Sequence, residues 1–198
     1  MDAKIKELTD LNDFKKVYTV FSDAPYFEKY TEEELENIFT EYHEKGYIYG
    51  AYAKEKCLGL IALEIGLNEE HPVNFQDKKI MYLSDVAVLK EYREKGLGQQ
   101  LILYGVMQSK LLGYDRIYMR TLEENSMSYG IASKIGFQQI PNAFQDVEKE
   151  RMDGTTKTMK NIFLDLNLRL LDREKLSEGI KLALSNPSQS IGDGERDD

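Results

Sequence analysis

Apolar positions along the chain recur at two spacings, and the switches between them mark out the elements. Ala3 to Leu8 reads as a first strand. Thr9 and Asp10 offer N-caps, and Leu11, Phe14, Val17, Tyr18 and Phe21 then recur at helical spacing. Ala24-Pro25 breaks the chain, and Tyr26, Phe27 and Tyr30 form a short aromatic connector. Thr31 with Glu34 makes a capping box for a helix that buries Leu35, Ile38, Phe39 and Tyr42, ended by Gly46 as a C-terminal cap. Tyr47 to Ala53 alternates as a strand, a tight turn at Glu55-Lys56 follows, and Leu58 to Leu67 is the next strand. A polar loop containing His71-Pro72 spans 68–78, and the fourth strand is 80–88.

The segment from Gly98 to Leu112 is apolar on more than one side, which predicts a well-buried helix. Arg116 to Thr121 is a fifth strand, Asn125 starts another helix, and Gly136 lets that helix turn into a strand through Ile140. Residues 142–158 are polar, with a hairpin expected about Asp153-Gly154. Met159 to Leu168 is the last strand. Asp172 then caps a short helix with Leu176, Ile180, Ala183 and Leu184 on one face. Packing back on the sheet is the expectation for that stripe, with a homodimer contact as the alternative. Residues 186–198 are rich in Ser, Gly and Asp and are expected to be disordered. The order predicts an α+β layered domain over 1–168, a helical extension over 169–185 and a tail.

A chain of 198 residues is long enough for one domain with a substantial core. The formal charge of -9 argues against non-specific nucleic-acid binding and against an anionic membrane surface. It suits a cationic acceptor such as an amine, although ordinary acidic solubility accounts for the same balance. Cys57 is the only cysteine, so no intramolecular disulfide can form, and a reducing cytoplasm fits. No signal-peptide pattern and no apolar run of membrane-spanning length are expected. His43 and His71 lie far apart without a cysteine cluster, so no metal site is expected.

Candidate chemistry gathers at Arg93-Glu94-Lys95-Gly96-Leu97-Gly98, a glycine-bearing loop between the Met81–Val88 strand and the following helix. First-turn N–H groups have no partner inside a helix, and the helix dipole adds about half a positive charge there. Glycines let a ligand's backbone contacts come close, so the turn suits a pyrophosphate. It lacks the Gly-Lys-Ser/Thr ending of a Walker loop and the third glycine of a dinucleotide fingerprint. A tight turn alone would explain the same glycines. A second motif decides between these readings: Asn125, Ser128, Ile131, Ala132, Lys134, Gly136 and Phe137.

Together the two motifs resemble the GNAT N-acetyltransferase superfamily. The first matches its Arg or Gln, two residues, Gly, one residue, Gly or Ala; the second matches its Asn, a small residue three on, and a closing Gly-Phe. The resemblance implies a mixed sheet of about seven strands whose fourth and fifth strands splay apart, with pantetheine in the gap. It implies acetyl-CoA as cosubstrate and a small-molecule or peptide amine as acceptor. It places the cofactor on Val86, Ala87 and Val88, on the loop residues Arg93, Glu94, Lys95, Gly96, Leu97, Gly98 and Gln99, and on Asn125, whose other role is a helix N-cap. The Val86 amide would be the oxyanion donor.

Such a reaction must deliver a neutral amine. A lysine-like amine has a pKa near 10.4, so the neutral form costs roughly 4–5 kcal/mol at neutral pH. Asp85 is the first candidate for the base and Glu64 the second; each is also explicable as a structural or surface carboxylate. In polyamine-acetyltransferase-like relatives a glutamate stands where this chain has Ser84. Ala132 replaces the tyrosine that protonates the departing thiolate in the family. A thiol near pKa 8.5 makes that loss worth at most about 2 kcal/mol. Tyr129, one turn earlier, is a candidate substitute. Tyr26 to Tyr30 with Glu28, and the 68–78 loop with Glu69 and Glu70, could bind a cationic acceptor. These departures also motivate an alternative, an acyl-CoA-binding module with little turnover; O-acylation and longer acyl groups stay open.

Overall fold

The computed structural model describes residues 3–23, 28–66, 72–76, 79–150 and 155–171. Strand β1 (Lys4–Glu7) is followed by helices α1 (Leu11–Tyr18) and α2 (Glu32–Lys45), then by strands β2 (Gly46–Ala53), β3 (Lys56–Ile65) and β4 (Ile80–Val88). Helix α3 (Leu97–Leu111), β5 (Arg116–Leu122), α4 (Ser126–Ile135), β6 (Gln138–Glu150) and β7 (Thr156–Asn167) complete the order. The seven strands form one sheet, β1-β2-β3-β4-β5-β7-β6. Only the β4–β5 neighbours run parallel; the others are antiparallel. This is the α+β architecture that the spacing predicts.

The pleat of β3 shows how the two layers are held. Ile61 and Leu63 point to one side, where they meet Leu97, Leu101 and Val106 of α3 together with Met81, Leu83 and Ile117. Leu60 and Ala62 point to the other, against Phe14, Val17, Leu35 and Tyr42 of α1 and α2. Both sides are therefore apolar, and β3 reads as an almost continuous buried run. Each such side chain contributes about 1.5–3 kcal/mol on full burial. Tyr82, Tyr118 and Phe163 continue the α1/α2 side toward β7.

Three expectations change. Gly46 ends α2, but in extended conformation (φ -173°), so the helix runs straight into β2 instead of stopping on a left-handed cap. A Cβ there would stand 1.8 Å from the Leu63 carbonyl oxygen, and close approach is what excludes a side chain. Second, the polar stretch after Ile140 is strand: β6 continues to Glu150 and pairs with β7, which starts at Thr156. It lies at the edge of the sheet, where half its positions face water and the apolar alternation fades. Third, α3 is buried along its inward side, while Leu111 and Leu112 at its end are 58 % and 43 % exposed. The hairpin tip at Asp153-Gly154, the helix from Asp172 and the tail lie outside the described residues. No helix among the described residues is long and apolar enough to cross a membrane.

Two irregularities in β4 shape the centre of the molecule. Its parallel pairing with β5 covers only Ile80 to Leu83, ending at Leu83↔Met119, although β4 runs on to Val88 and β5 to Leu122. Beyond that pair the strands part, as the family resemblance implies. On the other side, β3 pairs Ala62 with Asp85 but Leu63 with Leu83. Ser84 is thus an extra residue, a β-bulge, and the strand after it faces the opposite way. Without the bulge Asp85 would share a side with Met81 and Leu83, under α3. With it, Asp85 and Ala87 turn to the α1/α2 side.

Candidate active site

Among the described residues, three of the four α-helices begin on a side-chain cap. Asp10 accepts from the Asp13 N–H at 2.9 Å, Thr31 from the Glu34 N–H at 3.2 Å, and Asn125 from the Ser128 N–H at 3.2 Å. Helix α3 begins on Gly96, which has no side chain to offer. The first bond across its opening turn is from the Gln100 N–H to the Gly96 carbonyl, at 3.0 Å. The N–H groups of Leu97, Gly98 and Gln99 precede that bond and have no carbonyl one turn back. Gly96 is left-handed (φ +78°), and so is Glu94 (φ +61°). A non-glycine residue there costs about 1–2 kcal/mol, a strain that clusters at ligand-gripping turns. A Cβ on Gly98 would meet only Val88 Cγ2, at 3.9 Å, so the space above this turn is open.

Side chains around the turn are partly committed. The Arg93 Nε–H donates to the Val88 carbonyl at 3.0 Å, locking the loop to the end of β4. Lys95 donates to the Glu91 carbonyl at 2.8 Å and lies over the Tyr92 ring. Both keep positive charge beside the open amides. Asn125 serves as the cap of α4, the second of the two roles weighed for it.

Beyond the splay, the backbone of β4 presents an unpaired edge. The Leu89 N–H bonds the Leu58 carbonyl of β3. Because alternate residues face alternate edges, Ala87 also faces β3, while Val86 and Val88 direct their N–H and C=O groups into the gap. This is the edge on which an extended ligand could add like a strand. One acceptor on it, the Val88 carbonyl, already takes the Arg93 bond.

On the α1/α2 side of that gap stands Asp85. Its carboxylate accepts from the Tyr18 hydroxyl at 2.8 Å and from the Tyr42 hydroxyl, and Tyr42 also lies 3.4 Å from the Ser84 hydroxyl. Burial pushes the Asp85 carboxyl above the usual carboxylate range, while the Tyr42 and Tyr18 hydroxyls pull it back. The negative charge of Glu28 adds to the upward push. Tyr42 and Tyr18 are themselves raised, first by burial and then by the Asp85 charge. Tyr30 donates to Glu28 and packs edge-on against Tyr18, with ring centroids 5.3 Å apart. Tyr18 and Tyr42 are the residues that sequence reading missed. Both sit on stripes that read as core, and the signal was a hydroxyl on an otherwise apolar face.

The remaining candidates are less central. Glu64 is half-buried opposite Tyr82 on β3, and with Glu41, Glu44 and Lys45 it lines an open cleft of about 510 Å³. That cleft is lined by Tyr82 as well, and Glu64 has no bond to the Asp85 carboxylate, whose described partners are Tyr18 and Tyr42. Tyr129 is 38 % exposed on α4, whereas Ala132, where the family has its tyrosine, is fully enclosed by the α3-side core. Of the expected acceptor residues, Glu28 and Tyr30 join the Asp85 network; Tyr26, Phe27, Glu69 and Glu70 lie outside the described residues.

Comparison with known proteins gives a consistent picture. Residues 13–137 match the model of the acetyltransferase (GNAT) family. An N-acetyltransferase from Staphylococcus aureus superposes with a TM-score of 0.66 at 19% identity, covering 85% of this chain and 99% of its own. A ribosomal-protein-alanine N-acetyltransferase from Brucella melitensis gives 0.64 at 16%, covering 83% and 99%. A Bacillus subtilis acetyltransferase, solved in complex with CoA, gives 0.59 at 21%, covering 83% and 98%. At these identities the likeness is one of fold. Among curated proteins none matches.

Proposed function

Since this chain belongs to the acetyltransferase (GNAT) family, we propose that it transfers an acetyl group from acetyl-CoA to the primary amine of a small molecule or peptide, both being held at once. The observation that carries the reading is the meeting of an uncapped helix start, an unpaired β4 edge and a buried carboxylate around one gap. When bound, acetyl-CoA supplies the activated thioester, so that a C–N bond forms as the C–S bond breaks and CoA leaves as its thiol.

The chain's own groups divide the remaining work. The amides of Leu97, Gly98 and Gln99, in open space beneath the Arg93 and Lys95 charges, hold the diphosphate. Val86 and Val88 align the pantetheine arm. The Val86 N–H, directed into the gap, stabilises negative charge growing on the carbonyl oxygen. Asp85 takes the proton from the incoming ammonium. Its raised pKa suits it to hold a proton nearer neutral pH than an ordinary carboxylate does. Tyr18 and Tyr42 orient it, and Glu64 helps draw the cation in along the cleft. No side chain is assigned to protonating the thiolate, because Ala132 is enclosed and Tyr129 faces solvent.

The test pairs CoA titration by calorimetry with thiol release across amino acids, polyamines, aminoglycosides and peptides, products being weighed by mass spectrometry. Micromolar CoA binding with release of one thiol per acetylated product is expected. Binding without release on any acceptor would favour the acyl-CoA-binding module, and no binding would remove both readings.

A further inference from the structure

Arg120 stands across the gap from Asp85, and neither motif accounts for it. It is the first residue of β5 beyond the last β4–β5 pair, and its partner on the far side is Phe163 of β7. Alternation along β5 puts Tyr118 and Arg120 on the Asp85 side, while Met119 faces α3 with the core. The charge of Arg120 reaches both neighbours, favouring the ionised forms of Asp85 and of Tyr82. It is an exposed residue, next but one to the buried Tyr118 on the same side of β5.

Its three described counterparts are tied down. Arg116 is paired with Asp165, Arg169 with Asp115 at 2.9 Å, and Arg93 with the Val88 carbonyl at 3.0 Å. No carboxylate among the described residues lies within salt-bridge distance of Arg120. A guanidinium is a planar fork that matches a carboxylate with two parallel hydrogen bonds. A cation placed where an ammonium must be deprotonated would repel a purely cationic acceptor, so its presence argues for a substrate carrying both signs.

We infer, resting on the acyl-transfer reading above, that the acceptor is a small zwitterion of the amino-acid class, its ammonium directed to Asp85 and its carboxylate gripped by Arg120. Arg120 is then a specificity-determining residue. Polyamines and other acceptors lacking an anionic group bind the same gap poorly, because the guanidinium is left opposing their charge.

The experiment compares each amino acid that turns over, or binds in the presence of CoA, with its primary amide and with the amine lacking the carboxyl group. Both kcat/KM and calorimetric Kd are read, for the wild type and for Arg120→Met and Arg120→Lys, with CoA affinity as the control for folding. The wild type should favour the acid over its amide about ten- to a hundredfold, the worth of a charge-assisted hydrogen-bonded pair. That ratio should fall to near one in Arg120→Met, through KM more than kcat, and be partly restored in Arg120→Lys. An acid-to-amide ratio near one in the wild type, or one that Arg120→Met leaves unchanged, would overturn the inference. Binding of the acid with no thiol release keeps Arg120 in this role and removes the transfer reading. Transfer to acid and amide alike does the reverse.

Discussion

Helices α2 and α3 begin in opposite ways. At α2 the chain answers its own first turn: the Thr31 hydroxyl accepts from the Glu34 N–H, and the Glu34 carboxylate accepts from the Thr31 N–H at 2.6 Å. At α3 the corresponding place is occupied by Gly96 in a left-handed conformation, and no side chain reaches back. The same polypeptide ends are thus closed where they serve the fold and left open where an anion can close them. A glycine in place of a capping side chain lowers helix stability by only about a few tenths of a kcal/mol, so leaving the turn open beside two basic residues is a small cost that a ligand can offset.

The sharpest way to break that contrast is Gly98→Val. Its side chain would enter the open space above the α3 amides with only Val88 nearby, and Gly98 is outside the left-handed positions. CoA affinity should fall about a thousandfold, as two or three charge-assisted hydrogen bonds are shielded, with the melting temperature little changed. Unaltered affinity in calorimetry would show that the turn grips nothing.

Asp85→Asn tests the other end of the site, where α2 reaches β4 through Tyr42. The rate at pH 7 should drop about a hundredfold, and less at pH 9, where more amine is already neutral. Its effect on stability has the opposite sign. The folded pKa of Asp85 is raised by burial, so its contribution is fully present below the unfolded value near 3.9 and is lost as pH rises through the folded pKa. Asp85→Asn should therefore melt at or above the wild type at pH 7.5, with the gap closing toward pH 4. A mutant that keeps the wild-type rate profile would remove Asp85 as the base.

Thr31→Ala opens the closed cap. It should cost about 1 kcal/mol in urea unfolding, a shift of about 2–4 °C for a chain of this size, while CoA binding stays the same. The smallest effect is expected for Tyr129→Phe. An exposed hydroxyl away from such features is worth within about 0.5 kcal/mol, so thiol release should change by about twofold or less; a tenfold loss would make Tyr129 the missing acid.

Much of this molecule was legible in the order of its residues. The capping box at Thr31, the cap at Asn125, the alternation of β2 and the glycine turn that opens α3 all act within a few residues of themselves, so local spacing reveals them. What stayed hidden depends on distant partners. Tyr18 and Tyr42 meet Asp85 across 67 and 43 residues respectively, and an apolar helix stripe does not announce which of its members bears a bond. The bulge at Ser84 has no turn residue to signal it, and only the register against β3 reveals it. Arg120 read as an ordinary strand position until β5 was seen to leave β4 one residue earlier. The polar outer strand β6 failed for another reason: an edge position withholds the apolar pattern that identifies an inner strand.

The supernumerary Ser84 has a further effect on how this protein can change. Every side chain downstream in β4 takes its orientation from Ser84 standing outside the ladder. Drawing Ser84 into regular pairing with Ala62 would send Asp85 beneath α3 and turn the Val86 amide toward β3 in the same stroke. Asp85 and the Val86 amide, the base and oxyanion donor proposed above, are therefore locked in phase: a substitution at either position can act alone, but any shift of one residue along the strand displaces the two together.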